Sequence, residues 1–303
     1  MIEQQIREHM LTEKALQPYL ATYAGQMAIF NQEAPADTDP NWETKNQYGR
    51  VVFTMRMEDD PERNYSGTLA IDIICPKEQG YIPEETEPII RNLIDGYFFS
   101  NSLVTIAAQW KTSAYFQEPT KKEAGATLSF ALLAFPTQAT TYPDPIELIN
   151  KWSADELPKK IGKEKVMVIG RDNLPPAWKP TREAPAIFWR LGTINKCNFI
   201  PDTYNASWQT AKLWGHIMSP EINEANAIAR TIANTLTIQK RLIFDDLSPL
   251  MIDRGIQLNL SSDPLRVGQI SIDATYGILN VPETVKPPIA DIGIGEKGRN
   301  SGR

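Results

Sequence analysis

The sequence predicts an α+β protein of two tandem domains. Each domain reads α-β-β-β-α-β-β, a mixed or antiparallel sheet with a long helix on one face. Three observations predict this. The chain has 303 residues, and at roughly 150 residues per domain that length holds two. The segment Pro136-Thr137-Gln138-Ala139-Thr140-Thr141-Tyr142-Pro143-Asp144-Pro145, with three prolines and small polar residues, falls near the middle and resists any regular element. Apolar residues recur in the same order on either side of it. The expected division is 1–142 for the first domain, 143–280 for the second, and 281–303 for a flexible arm with three prolines, four glycines and few apolar residues.

In the first half, Ile2, Ile6 and Met10 are spaced for one face of a helix ending near Pro18. A short apolar strand, Met27–Phe30, is followed by a polar loop with prolines that ends near Trp42. A strand is expected at Val51–Met57. In the next, Leu69, Ile71, Ile73 and Cys75 alternate with Ala70, Asp72 and Ile74, the period of a sheet with one drier face. A helix begins after Pro83 and carries Ile89, Ile90, Leu93, Ile94 and Tyr97 on one side. Strands at Leu103–Trp110 and Thr127–Phe135 close the half.

The second half repeats the order. A short helix at Pro145–Trp152 precedes an apolar strand, Val166–Ile169, and a loop rich in proline, Leu174-Pro175-Pro176-Ala177-Trp178. Strands follow at Ala186–Leu191 and Ser207–Trp214. Ser219 and Pro220 suit the start of the longest helix, whose stripe is Ile222, Ala225, Ile228, Ala229, Ile232 and Leu236. A strand near Leu250–Leu258 leads to a last one, Gln269–Leu279. Trp110, Trp189, Trp208 and Trp214 fall within expected strands and are read as core or subunit-interface packing.

Composition is that of an ordinary globular chain, with 42% hydrophobic and 22% charged residues. The formal net charge of −6 argues against a nonspecific nucleic-acid binder, which needs a basic face. The charge is uneven. Residues 1–142 hold 11 Lys+Arg against 19 Asp+Glu, whereas 143–303 hold 20 against 18. Two cysteines, Cys75 and Cys197, make no disulfide scaffold, so a reducing compartment is expected. Residues Met1–Lys14 are charged and lack the apolar stretch of a signal peptide, and no apolar run is long enough for a membrane span.

Sites of chemistry are sparse. Gly293-Ile294-Gly295-Glu296-Lys297-Gly298 spells the dinucleotide fingerprint without room for the helix it needs. Glu58-Asp59-Asp60-Pro61-Glu62 has the acidity of a cation site but neither the glycine nor the distal glutamate of a calcium loop, so a solvated hairpin tip is expected. Asp245-Asp246 is expected in a helix-to-strand turn. His9 is placed on the polar side of the first helix and His216 just after a strand, neither beside an activated Ser or Cys. Asn64-Tyr65-Ser66 and Asn205-Ala206-Ser207 match the glycosylation pattern, which has no meaning without secretion. The main basic run, Lys159-Lys160-Ile161-Gly162-Lys163-Glu164-Lys165, is expected as a solvated loop, or as a contact to phosphates or an acidic partner. No catalytic residue, metal or cofactor is expected.

Three runs carry a resemblance: Tyr23–Asp37 (YAGQMAIFNQEAPAD), Ser66–Ile73 (SGTLAIDI) and Leu128–Pro136 (LSFALLAFP). They resemble proteins encoded in tail-gene clusters of bacteriophages and prophages of Gram-positive bacteria. The element order is similar to the tail terminator, or tail completion, family. That resemblance implies a structural virion protein without catalysis, made in the host cytoplasm and located in the phage tail and neck. It implies a homo-oligomeric ring, a hexamer or a trimer of duplicated domains. The ring would contact the tail tube protein and the neck or head-completion connector, and double-stranded DNA would pass through it, with no membrane involved. Typical members have one such domain, whereas this chain has two. Asp59, Asp60 and Glu62 are then expected to face the channel, and Lys159, Lys160, Lys163 and Lys165 to project towards a neighbour. The rival expectations are another neck or tail component, tube-like or adaptor, and a small-molecule enzyme of α+β fold.

Overall fold

The structure, a computed structural model, describes residues 1–43, 49–60, 64–76, 83–120, 122–138, 141–171, 174–204, 206–252 and 254–279. The first helical spacing becomes α1 (Ile2–Leu11), which buries Ile2, Ile6 and Met10. The expected strand at Met27–Phe30 is split. Ala24 and Gly25, both at positive φ, turn a small hairpin of β1 (Thr22–Tyr23) and β2 (Gln26–Met27), and β3 (Ile29–Asn31) follows it. Then come β4 (Arg50–Asp60), β5 (Asn64–Pro76), α2 (Pro83–Ile94), β6 (Phe98–Ser100), β7 (Val104–Glu118) and β8 (Glu123–Pro136). The second half contains α3 (Pro145–Asp155), α4 (Leu157–Ile161), β9 (Met167–Ile169), β10 (Ala177–Trp178), β11 (Ala186–Lys196), β12 (Ala206–Met218), α5 (Ile222–Gln239), β13 (Arg241–Ile243), β14 (Pro249–Met251), β15 (Ile256–Leu258) and β16 (Ile270–Leu279).

Two large sheets result. Sheet 1 runs β10-β6-β7-β8-β5-β4-β3, and sheet 2 runs β13-β14-β16-β12-β11-β9 with β15 also on β16. Matching β3 with β9, β4 with β11, β5 with β12, β6 with β13, β7 with β14 and β8 with β16 gives one topology twice. In both, the first two strands of the set are parallel and every other neighbour is antiparallel. The registers align as well, because Val51 and Phe53 occupy the core positions held by Ile187 and Trp189.

The alternation of each strand decides which residues meet the helices. In sheet 1, Phe53, Leu69, Ile71, Phe130 and Leu132 form one core with Ile6 and Met10 of α1 and with Ile90 and Ile94 of α2. In sheet 2, Ile187, Trp189, Leu213 and Ile272 do the same with Ile149 and Trp152 of α3 and with Ile228 and Ile232 of α5. Both helices of a half therefore cover the same side of its sheet.

Several elements differ from the sequence reading. The single strand expected near Leu250–Leu258 is broken into β14 and β15, because Gly255 at φ +114 takes the chain off the ladder. The α5 helix starts at Ile222 with Glu221, not Ser219, at the cap position, and Ser219 Oγ instead donates to Glu224 Oε2 at 2.6 Å. Its end is closed by Lys240, left-handed at φ 62, whose N–H reaches Leu236 O. His9 does not sit on a purely polar side. Its Nε2 donates to Leu93 O at 3.0 Å and its ring lies 4.3 Å from that of Tyr97, so it bridges α1 and the end of α2, and burial pushes its pKa down. His216 lies within β12 and is buried. Asp245 and Asp246 turn a strand hairpin between β13 and β14, where Asp246 Oδ1 accepts from Ser248 N and Oγ.

Gly215 shows how tightly the second core is filled. It stands opposite Trp189 in the β11–β12 ladder, and the missing side chain leaves the space the indole occupies. A methyl there would run into the Trp189 ring and Ile270 Cγ2. Gly215→Ala is expected to destabilise the protein by about 1–3 kcal/mol, the usual cost of overpacking, read as a lower denaturant midpoint at unchanged slope. A wild-type midpoint would show that this core is loosely packed.

Candidate functional site at the junction of the two sheets

Strands buried on both faces read as continuous apolar runs. Two such runs mark the junction. In Leu132-Leu133-Ala134-Phe135, Leu132 and Ala134 enter the helix-covered core while Leu133 and Phe135 point the other way. In Ala186-Ile187-Phe188-Trp189 the same split sends Ala186 and Phe188 outward. The outward residues meet in a third core. Phe98, Ala107, Leu133 and Phe135 come from sheet 1, and Ile169, Trp178, Ala186, Phe188 and Met218 from the second half. The sheets thus dock through their helix-free faces.

The aromatic geometry is well defined. Phe98 stacks on Trp178 with centroids 4.7 Å apart and planes at 18°, and Phe135 meets Phe188 edge-on at 5.2 Å. His216 packs against both Phe135 and Phe188 while its Nδ1 donates to Pro264 O at 2.8 Å. Trp178 Nε1 donates to Ser100 Oγ at 2.9 Å, and that hydroxyl also bonds Thr105 Oγ1 at 3.0 Å, so the indole N–H and both hydroxyls have partners. Trp178 was expected in a loop. It lies in β10, which pairs antiparallel with β6 and so adds a strand from the second half to the edge of sheet 1. The second half thus extends the first sheet. Lys179 holds the same contact from outside, donating to Asp95 O at 2.7 Å above the Tyr97 ring.

The connecting segment is fastened too. Gln138 Oε1 accepts from Leu191 N at 2.8 Å and its Nε2 donates to Trp189 O at 2.6 Å, so one side chain serves β11 where β9 stops. Asp144 then caps α3, accepting from Ile146 N and Glu147 N. Between linker, α3 and β11 opens a cleft of 510 Å³ lined by Gln138, Asp144, Glu147, Asn150, Lys151 and Arg171 among others. Lys151 is bonded to Asp245 at 2.9 Å, which raises its pKa and keeps it cationic. Among the described residues, no group of three or more His, Cys, Asp or Glu is set to hold a metal ion. No helix among them is long and apolar enough to cross a membrane.

The residues singled out from the sequence are not brought together. Asp59 and Asp60 end β4 in the hairpin with β5, Asp59 opposite Tyr65 and Asp60 opposite Asn64. Glu62, like Gly293–Gly298, lies outside the described residues. The basic run is not all loop. Lys159 and Lys160 belong to α4, with Lys159 bonded to Glu156 at 2.9 Å. Lys163 turns inward to Glu224 of α5 at 2.5 Å, and that bond holds the Glu224 carboxyl below its usual pKa. Lys160 and Lys165 are exposed. Sequence reasoning missed the junction, although the two runs of consecutive apolar residues are its signal.

No protein-family model matches the chain, and no curated protein matches it.

Trp178→Ala is expected to cost about 3–5 kcal/mol, as for other buried tryptophans, and to loosen the two halves from each other. Calorimetry of the variant should resolve two transitions where the wild type gives one. A single transition at the wild-type temperature would deny Trp178 this role.

Proposed function

We propose that this chain is a structural subunit of a bacteriophage tail. In this reading it is a tail terminator that closes as a ring on the end of the tail tube, meets the head-side connector, and lets double-stranded DNA pass through its centre. The observation that carries the reading is the head-to-tail docking of two like domains. Sheet 1 offers its β6–β7–β8 side, while sheet 2 offers β9–β11–β12, which corresponds to β3–β4–β5. A contact between non-equivalent sides of like bodies leaves one complementary side free at each end, and repeated with a rotation that closes, such contacts make a ring. The resemblance agrees with this, since its three quoted runs supply β3, β5 and β8 of the docking sheet. The stoichiometry is a hexamer of chains or a trimer carrying six like domains.

The mechanism is geometric. One rim of the ring matches the top of the tube and stops its growth, and the other receives the neck. An acidic inner surface repels the DNA phosphates and keeps the passage from sticking. The first half, with the surplus of carboxylates and with Asp59 and Asp60 at a hairpin end, suits that surface. The exposed Lys159, Lys160 and Lys165 suit an outward contact to a neighbour.

Negative-stain microscopy of the purified full chain is expected to show closed rings with a central opening. The triple variant Asp59→Lys, Asp60→Lys and Glu62→Lys is expected to keep the ring and the thermal midpoint but to impair tube capping and infectivity. Particles that stay monomeric at high concentration, or filaments without end, would overturn the terminator reading. Wild-type infectivity of the triple variant would overturn the placement of this hairpin.

A further inference from the structure

The cleft between the linker, α3 and β11 plays no part in the ring reading. Its floor is apolar and belongs to the cores, with Ile146, Ile169, Phe188 and Trp189 lining it. Its walls are polar. On α3, Asn150 lines the cleft and is 6% exposed. Asn150 Oδ1 is sealed from solvent and has no hydrogen-bond partner among the described residues. Burial without a donor forfeits the bond this oxygen would make in water. One turn on, the buried Ser153 hydroxyl is served, for it accepts from Trp189 Nε1 at 2.9 Å.

The charges of this cleft balance. Asp144 and Glu147 stand against Lys151 and Arg171. An anion placed here meets the two carboxylates and a cation meets the two cations, whereas a neutral group with a donor and an acceptor meets no like charge. The cleft is also a passage. Towards the turn between β6 and β7, an adjoining cleft of 540 Å³ shares Thr137, Gly170 and Arg171 with it. Towards the hairpin between β13 and β14, another of 260 Å³ shares Asp144, Glu147, Lys151 and Arg171. That end adds Asp245, which is bonded to Lys151, and Asp246, which is bonded to Ser248. A groove that runs on at both ends suits a chain lying across it better than a compact molecule. Gln138 shows the matching chemistry within the same cleft. Its side-chain amide holds a peptide backbone by both atoms, accepting from Leu191 N and donating to Trp189 O. Asn150 carries the same kind of amide, with its oxygen unused.

We propose that this groove takes an extended, uncharged stretch of polypeptide from a partner protein, with a backbone N–H of that stretch donated to Asn150 Oδ1. The site is independent of the ring reading, and either can fail alone.

The test selects a library of random displayed peptides on the purified full chain and measures the enriched sequences by calorimetry on wild type, Asn150→Leu and Asn150→Ala. Enriched sequences are expected to lack Asp, Glu, Lys and Arg in their common core. Both variants are expected to bind them about tenfold more weakly, the worth of one buried hydrogen bond. Asn150→Leu replaces an unbonded amide by an apolar group of similar size, so the free variant is expected to keep or exceed the wild-type thermal midpoint. Acetate and ethylammonium, titrated as an anion and a cation, are expected to leave the NMR signals of Asn150 and Gln138 in place. Saturable shifts from either ion, or enriched peptides with a charged core, would overturn the neutral class of ligand. A library that enriches nothing, or peptides that bind both variants as they bind wild type, would overturn the site. A midpoint lowered by both variants would show an amide already bonded within the fold and overturn it as well. A wild-type oligomer that Asn150→Leu reduces to the monomer would give the groove to a second copy and overturn the separate partner.

Discussion

The contact of Phe135 with Phe188, and of Phe98 with Trp178, is the constraint on which the arrangement of this protein depends. Each half already has a complete core beneath its two helices. A third core between the helix-free faces forces the strands β8 and β11 to be apolar on both sides. That demand explains why the ends of these strands lose their alternation while the rest keep it. Leu128, Phe130 and Leu132 alternate with Thr127, Ser129 and Ala131, and alternation fails only at Leu133 and Phe135, where the second sheet arrives. Much of the polar cost is met locally, since the indole N–H, two hydroxyls and His216 Nδ1 all find partners within or at the rim of that core.

Two further devices make the junction specific rather than merely apolar. Backbone pairing of β10 with β6 fixes the register of the second half on the first, because a slip of one residue would take Trp178 off Phe98. Gln138 fixes the other end of the connection by bonding both a carbonyl and an N–H of β11. Electrostatics then separates the two loops. Residues 170–185, with Trp178, hold three cations and two carboxylates, whereas residues 32–49, with Trp42, hold one cation and four carboxylates, so the two aromatic-bearing loops differ in charge.

Most of the sheet was legible in the sequence, because strands of ten or more residues with one buried face leave a period-two trace. Ile71 and Ile73 against Asp72 gave β5, and Ile272, Ala274 and Tyr276 against Asp273 and Thr275 gave β16. Strands of two or three residues leave no period, so β6, β10 and β13 were not visible, although β10 and β13 form edges of the two large sheets. The docking of His216 and Trp178 depends on residues far away in the chain, and Gln138 has no local signal for its bonds to β11. The break at Gly255 was readable as a glycine but not as a left-handed one. The side-chain clusters that looked chemical resolved otherwise. Lys163 is a strut to α5, and Asp245 with Asp246 forms a hairpin tip.

The origin of β10 has a consequence for how the protein is made. All strands of sheet 1 except β10 are complete once the ribosome has passed Pro136, but the strand that covers β6 is not available until Trp178. At about 5–20 residues per second, the nascent first half spends roughly 2–8 s with the β6 edge and the Phe135 face bare. Neighbouring polysomal chains at that stage present one another with an unsatisfied ladder and an oily surface, the setting in which strand exchange and aggregation arise. The interval closes only with continued elongation. Slow codons between Pro136 and Trp178 would lengthen it, which makes translation speed over this stretch a determinant of yield.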